Sequence, residues 1–204
     1  EIIKKHAAEI LGRQELQAIL TTLEKDYPAV VEDVKKTGLG GIQKILQNLL
    51  KERVSIRNMV EILETIADYG ALTKDVSFIT EKVRQSLARQ ICFQHADDSK
   101  TLHVFTIMSK LEDVIIKSRV ETAGGLVAGL KPDINRRWIT ALHNTQRLAQ
   151  EAGHFAFIVL CSEAARPLVR SSTANDFPNL VVLSSLEIVP DIKVDLIGEI
   201  KLEG

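Results

Sequence analysis

Cys161 closes an apolar run, Phe155 to Leu160, and stands five residues before Arg166. A thiol at the end of a strand, followed by a helix carrying an arginine, is an arrangement in which a thiolate attacks a phosphate ester while the guanidinium holds its oxygens. The spacing is one residue short of such a loop, and Glu163, Ala164 and Ala165 make a plain helix start where a phosphate cradle needs glycines. Cys161 therefore reads first as a buried structural thiol, with a small cysteine-dependent α/β enzyme as the alternative. Gly38-Leu39-Gly40-Gly41 follows no strand and precedes no Lys-Ser/Thr pair, so it reads as an interhelical turn rather than a phosphate loop. His6, His95, His103, His143 and His154 form no pair at helical spacing with a third ligand. His95 with Asp97 and Asp98 comes nearest to a metal set, but a solvated linker explains it better. Ser162 lacks the flanking glycines of a nucleophile elbow. The expectation is no enzyme, no cofactor and no metal.

A binding role needs charge or apolar surface. The 204 residues carry 26 Lys+Arg against 27 Asp+Glu, a formal net charge of -1, which gives no overall attraction for a polyanion. Two helices, Ile42 to Leu50 and Ile56 to Tyr69, resemble those of a winged-helix DNA reader. On the second, Arg57 is countered by Glu61, Glu64 and Asp68, which would repel phosphates, so a nucleic-acid regulator is disfavoured. Two cysteines are too few for a disulfide framework and point to a reducing compartment. The longest apolar stretches fall far short of the roughly 20 residues of a membrane span.

The elements that would position these residues divide the chain. Up to about Ile91 the apolar residues recur at helical spacing. Leu16, Ile19, Leu20 and Leu23 make one stripe; Ile42, Ile45, Leu46, Leu49 and Leu50 a second; Ile56, Met59, Val60, Leu63, Ile66 and Ala67 a third. A fourth runs Val76, Ile79, Val83, Leu87, Ile91. Pro28 suits a helix start, and Ser55 and Asp75 suit N-caps. After the polar run Gln94 to Ser99 the pattern changes to strands at Thr101 to Met108, Phe155 to Leu160, Leu180 to Leu183 and Ile192 to Leu202. Helices are expected at Lys110 to Val120, from Pro132 to Gly153, and from Ser162 to about Thr173. In the last strand Ile192, Val194, Leu196, Ile200 and Leu202 should face the core. The fold class is α+β: an all-α helical bundle with winged-helix-like helices, then a small α/β layer with a mixed sheet.

The segment QKILQNLLKERVSIRNMVEILETIADYGALTKD, Gln43 to Asp75, resembles the cytoplasmic domain of the FlhA family, the export-gate proteins of type III secretion. GRQE at Gly12 to Glu15, YPAVVEDV at Tyr27 to Val34, VRQSLARQI at Val83 to Ile91 and NLVVLSSLEIVPDIKVDLIGEI at Asn179 to Ile200 follow in family order. The resemblance implies a piece of a longer protein whose N-terminal membrane part precedes it. Residues 1–11 would be the tail helix of a preceding subdomain, 12–93 a helical subdomain, 94–100 a linker that lets the domains shift, and 101–204 the α/β C-terminal subdomain. It further implies a ring, typically of nine copies, on the cytoplasmic face of the bacterial inner membrane. There it would dock export chaperone–substrate complexes, export ATPase components and other export-gate proteins, without nucleic acid, and order substrate export. The resemblance leans flagellar, with the homologous gate of a virulence injectisome as the alternative.

Within the quoted motifs, Arg13, Gln14 and Glu15 at a helix start, and Arg57, Arg84 and Arg89 on helical surfaces, carry polar groups suited to partner or ring contacts. Solvated charges and intrachain pairs are the competing explanation for each.

Overall fold

The structure, a computed structural model, describes residues 8–9 and 11–202. Most of the expected tail helix, 1–11, lies outside the described residues. The chain forms two compact units, Glu1–Leu87 and Ala88–Gly204.

In the first unit, helices α1 (Arg13–Glu24), α2 (Pro28–Lys35), α3 (Leu39–Lys51), α4 (Met59–Gly70) and α5 (Val76–Ser86) bury the stripes that the spacing identifies. Leu16 and Leu20 of α1, Ile42, Ile45, Leu46 and Leu49 of α3, and Ile62, Leu63 and Ile66 of α4 are all fully buried. Burying one such side chain contributes about 1.5–3 kcal/mol, far more than any surface pair on these helices. Helix α2 packs on α4, and α5 on both α3 and α4. Pro28 stands at the start of α2, where its missing N–H costs nothing. Asp75 caps α5 by accepting the Phe78 N–H at 3.0 Å. Gly38, at φ +93, makes the turn into α3.

Two helical expectations change. Ser55 caps no helix: α4 begins only at Met59, and the Ser55 hydroxyl accepts the Arg57 N–H within the preceding loop. The fourth stripe spans two helices, broken at Leu87, and α6 (Ala88–His95) belongs to the second unit. The second unit begins at Ala88, the first residue of α6. The polar run 94–100 is a bonded turn in which Asp97 accepts the N–H groups of Ser99 at 2.8 Å and Thr101 at 3.0 Å.

The second unit holds β1 (Thr101–Ile107), α7 (Ser109–Lys117), β2 (Arg119–Thr122), β3 (Gly125–Ala128), α8 (Pro132–Glu151), β4 (Ile158–Cys161), α9 (Arg166–Thr173), β5 (Val181–Ser184), a short 3-10 turn (Ser185–Glu187) and β6 (Lys193–Ile200). Four strands form a parallel sheet in the order β5-β4-β1-β6, and β2 with β3 forms a separate antiparallel ribbon. Parallel and antiparallel pairing are both present, as the α+β reading expects, but in different sheets. Phe105, Phe157 and Phe177 meet edge to face at 5.6 and 6.3 Å in a core that also buries Trp138, Leu142, Val159, Leu168 and Val182. Trp138 donates its indole N–H to Ser172 Oγ at 3.0 Å.

Here the boundaries and one face move. Helix α7 stops at Lys117, and the residues to Val120 enter the ribbon, whose Ala123-Gly124 turn admits Gly125 at φ +117. Phe155 is 83% exposed, and its strand begins only at Ile158. Helix α9 starts at Arg166, with Ser162 accepting the Ala165 N–H ahead of it. Ile192, just before β6, and Ile200 at its end are buried, but Val194 and Leu196 are 43% and 59% exposed. Two facts explain this: β6 is an edge strand, and its register slips between Val104 and Phe105, which pair with Leu196 and Gly198.

Candidate partner interface

Arg13, Gln14 and Glu15 form the first turn of α1 and are exposed. The Glu15 carboxylate turns back to accept the Gly12 N–H at 3.0 Å, placing negative charge at the positive end of the helix. Glu15 thus has a local structural task, and Arg13 and Gln14 present outward-facing donors.

Arg57 is exposed but sits in the loop before α4, not on a helix. Arg84 is not a surface residue. It is 2% exposed, and its guanidinium lies 3.4 Å from the Glu52 carboxylate at the end of α3. The physical reason is its position: it occupies the face of α5 that also buries Ile79 and Val83. Arg89 opens α6, pairs with Asp191 at 2.7 Å and lies over the Phe93 ring at 4.9 Å. That hydrogen bond holds the Asp191 carboxyl below its ordinary range. Five of the six residues belong to the first unit and Arg89 to the second.

The thiols face inward. Cys161 directs its Sγ to the Leu183 carbonyl at 3.7 Å, and Arg166, 2% exposed, donates to the Val182 carbonyl at 3.4 Å. Both groups of the supposed phosphate loop are turned to the backbone of β5. Cys92 lies against the Glu187 carbonyl at 2.9 Å, and burial pushes its thiol up.

Two features escaped the sequence reading. In the first unit an open groove of about 580 Å³ is lined by Asp33, Lys36, Thr37, Asp68, Leu72 and Lys74, with Leu72 80% exposed. In the second, the His103 ring is held between two carboxylates, Nδ1 to Asp195 and Nε2 to Asp97, each at 2.8 Å. Its ring centre lies 5.2 Å from that of His154, beside a pocket of about 350 Å³ that also takes in His95 and Phe155. His103 and Asp195 stand opposite each other in the parallel register of β1 and β6, so only that pairing could have revealed the contact. Among the described residues no group of three or more His, Cys, Asp or Glu is placed to hold a metal ion. No helix among them is long and apolar enough to cross a membrane.

What this arrangement offers is two packed units with exposed polar and apolar groups and with both thiols buried. The chain matches the FHIPEP family over residues 1–193. It belongs to that family. Among curated FHIPEP relatives, the flagellar biosynthesis protein FlhA of Borreliella burgdorferi is 43% identical over all of this chain and 29% of its own length. The chain therefore spans under a third of that relative. Among solved structures, that of the Chlamydia pneumoniae CdsV and CdsO protein complex superposes with a TM-score of 0.87 at 27% identity, covering 98% of this chain and 59% of the other. A nonameric EscV cytosolic domain from the type III secretion system superposes with a TM-score of 0.83 at 28% identity, over 96% of this chain and 58% of the other. The export-gate resemblance read from the motifs is thus correct for this FHIPEP chain.

Proposed function

We propose that this chain is the C-terminal half of the cytoplasmic region of a flagellar type III export gate, on the inner face of the bacterial inner membrane. The observation that carries the reading is the 43% identity to an FlhA protein along the entire chain. Identity to the EscV domain is 28%, which favours the flagellar gate over an injectisome gate. The helical subdomain, with residues 1–11 ending a preceding one, and the α/β subdomain then form part of a nine-membered ring. The ring docks chaperone–substrate complexes and export ATPase components and orders substrate export. The nonameric EscV domain and the CdsV–CdsO complex support the ring and the partner docking respectively. The chain's work is binding, not bond chemistry, which suits its inward-facing thiols.

Arg13, Gln14 and Arg57, exposed and in family motifs, are the best partner-contact candidates of the six. Arg89 is a second choice because Asp191 already occupies it, and Glu15 is engaged at Gly12. The test is pull-down of the full-length protein from membranes, comparing Arg13→Ala, Arg57→Ala and Arg89→Ala. We expect secretion components and self-association in the unaltered sample, weakened by Arg13→Ala or Arg57→Ala. Recovery of no secretion component would overturn the export-gate reading.

A further inference from the structure

An ionised carboxylate oxygen only accepts hydrogen bonds, and a neutral imidazole donates from one nitrogen alone. His103 contacts a carboxylate oxygen through both nitrogens, at 2.8 Å each. Both contacts are hydrogen bonds only if both nitrogens carry protons, so the geometry is that of an imidazolium clasped by two carboxylates. The three groups come from three places: Asp97 from the turn after α6, His103 from β1 and Asp195 from the edge strand β6. The other titratable groups around the ring are His154 from the α8–β4 loop and His95 across the pocket. Lys100 ends the turn and Lys193 opens β6.

The two carboxylates are not equivalent. Asp97 is fixed by the N–H groups of Ser99 and Thr101 on its other oxygen. Asp195 sits on an exposed half-strand, and its side chain is 56% exposed. A neutral ring keeping its Nε2 proton for Asp97 would face Asp195 with a bare nitrogen lone pair, acceptor against acceptor. The register slip after Leu196 separates the exposed start of β6 from its buried end at Ile200.

We propose that His103 is a proton-operated clasp that holds the first half of β6 to the sheet and frees that half-strand at Asp195 when the ring loses its proton. Freeing it leaves the outer edge of β1 unpaired over Thr101 to Val104, an edge able to accept another strand. Hydrogen bonds that the ring donates to Asp97 and Asp195 raise the His103 pKa above its ordinary 6.5, and the His103 contact lowers that of Asp97 below 3.8. The sign follows. A raised histidine pKa gives stabilisation that is complete below 6.5 and lost as pH rises through the folded value, so the clasp opens on the alkaline side.

The test is NMR on the 204-residue chain from about pH 5.5 to about 8.5, spanning the histidine range. It follows the His103 ring resonances and the amide exchange of Val194, Asp195 and Leu196, corrected for intrinsic exchange, with the amides of β4 as reference. We expect His103 to titrate above 6.5. Protection at 194–196 should fall through that titration, about tenfold for each unit separating the closed and open pKa values, while β4 holds steady. In Asp195→Asn, the amide N–H can donate to the neutral ring at Nδ1, so the contact survives deprotonation and the pH dependence should vanish. In His103→Gln, the cationic ring that both carboxylates face is gone and nothing titrates in its place, and protection should be low throughout. Titration at or below 6.5, protection indifferent to it, or an unchanged pH dependence in Asp195→Asn would each overturn the clasp.

Discussion

The buried Arg84–Glu52 pair gives a sharp perturbation because its two partners differ in what they leave behind. The side chains are 3% and 13% exposed, and the charged atoms lie 3.4 Å apart. At an effective dielectric constant of about 20, two unit charges at that distance attract by about 5 kcal/mol. Desolvating both offsets most of that attraction, so the pair as a whole contributes little. Removing Arg84 alone is different: it takes away the guanidinium that faces the largely buried Glu52 carboxylate, at a cost of about 3–5 kcal/mol. We expect Arg84→Met to lose about 3 kcal/mol and Arg84→Met with Glu52→Leu to recover to within about 1 kcal/mol of the parent, since apolar replacement of both partners is close to neutral. Urea unfolding followed by far-UV circular dichroism reads this directly. With a slope of about 1–3 kcal/mol per molar, the single variant shifts the midpoint down by about 1–3 M. The sole tryptophan, Trp138, lies in the second unit and reports by fluorescence whether that unit is intact. A loss below about 1 kcal/mol for Arg84→Met is what an exposed pair would give and would refute the reasoning. So would a double variant no more stable than the single one.

Gly70→Ala should destabilise by about 1–3 kcal/mol despite alanine's better helix propensity, because the added methyl meets the Thr37 side chain; Thr37→Ala in the same chain should restore most of the loss in the same urea assay. Cys92 and Cys161 should resist a thiol reagent in the folded chain and react together once it unfolds; rapid native labelling of Cys161 would revive the cysteine-enzyme alternative. Trp138→Phe should lose about 1–2 kcal/mol, from the indole hydrogen bond to Ser172 and the vacated volume, and Trp138→Ala about 3–5 kcal/mol, both by far-UV unfolding. Asp191→Asn should leave the urea midpoint nearly unchanged, with any difference shrinking as salt is raised, because the Arg89 and Asp191 side chains are 67% and 44% exposed.

The helical half was legible because its signal is local. Ile42, Ile45, Leu46 and Leu49 recur at the period of a helix, and all four are fully buried. Pro28 and Asp75 act through the backbone within a few residues of themselves, and each stands where its chemistry places it. The misread elements depended on more distant facts. The loop carrying Arg57 follows Arg53 at φ +59, a break that an arginine does not announce. Alternation in Ile192 to Leu202 describes a strand with one buried face, but which residues are covered depends on the strand order, and an edge position leaves Val194 and Leu196 exposed. The β2–β3 ribbon does have a local signal in Ala123-Gly124-Gly125, just past the helix expected to Val120.

The candidate contacts show why docking residues resist the same reading. Arg13, Arg57, Arg84 and Arg89 have the same side chain, yet three are exposed, one of these being paired with Asp191, and the fourth is buried on Glu52. Nothing in the neighbouring residues separates them, because each fate is decided by a group brought in from another element. His103 and Asp195 lie 92 residues apart, and their contact exists only once β6 is laid beside β1. A catalytic motif concentrates its residues in a short loop because reacting atoms must meet within hydrogen-bond reach. A docking protein has no such requirement. Its specificity resides in which polar groups the fold leaves unengaged at the surface, and that is settled by packing before any partner arrives.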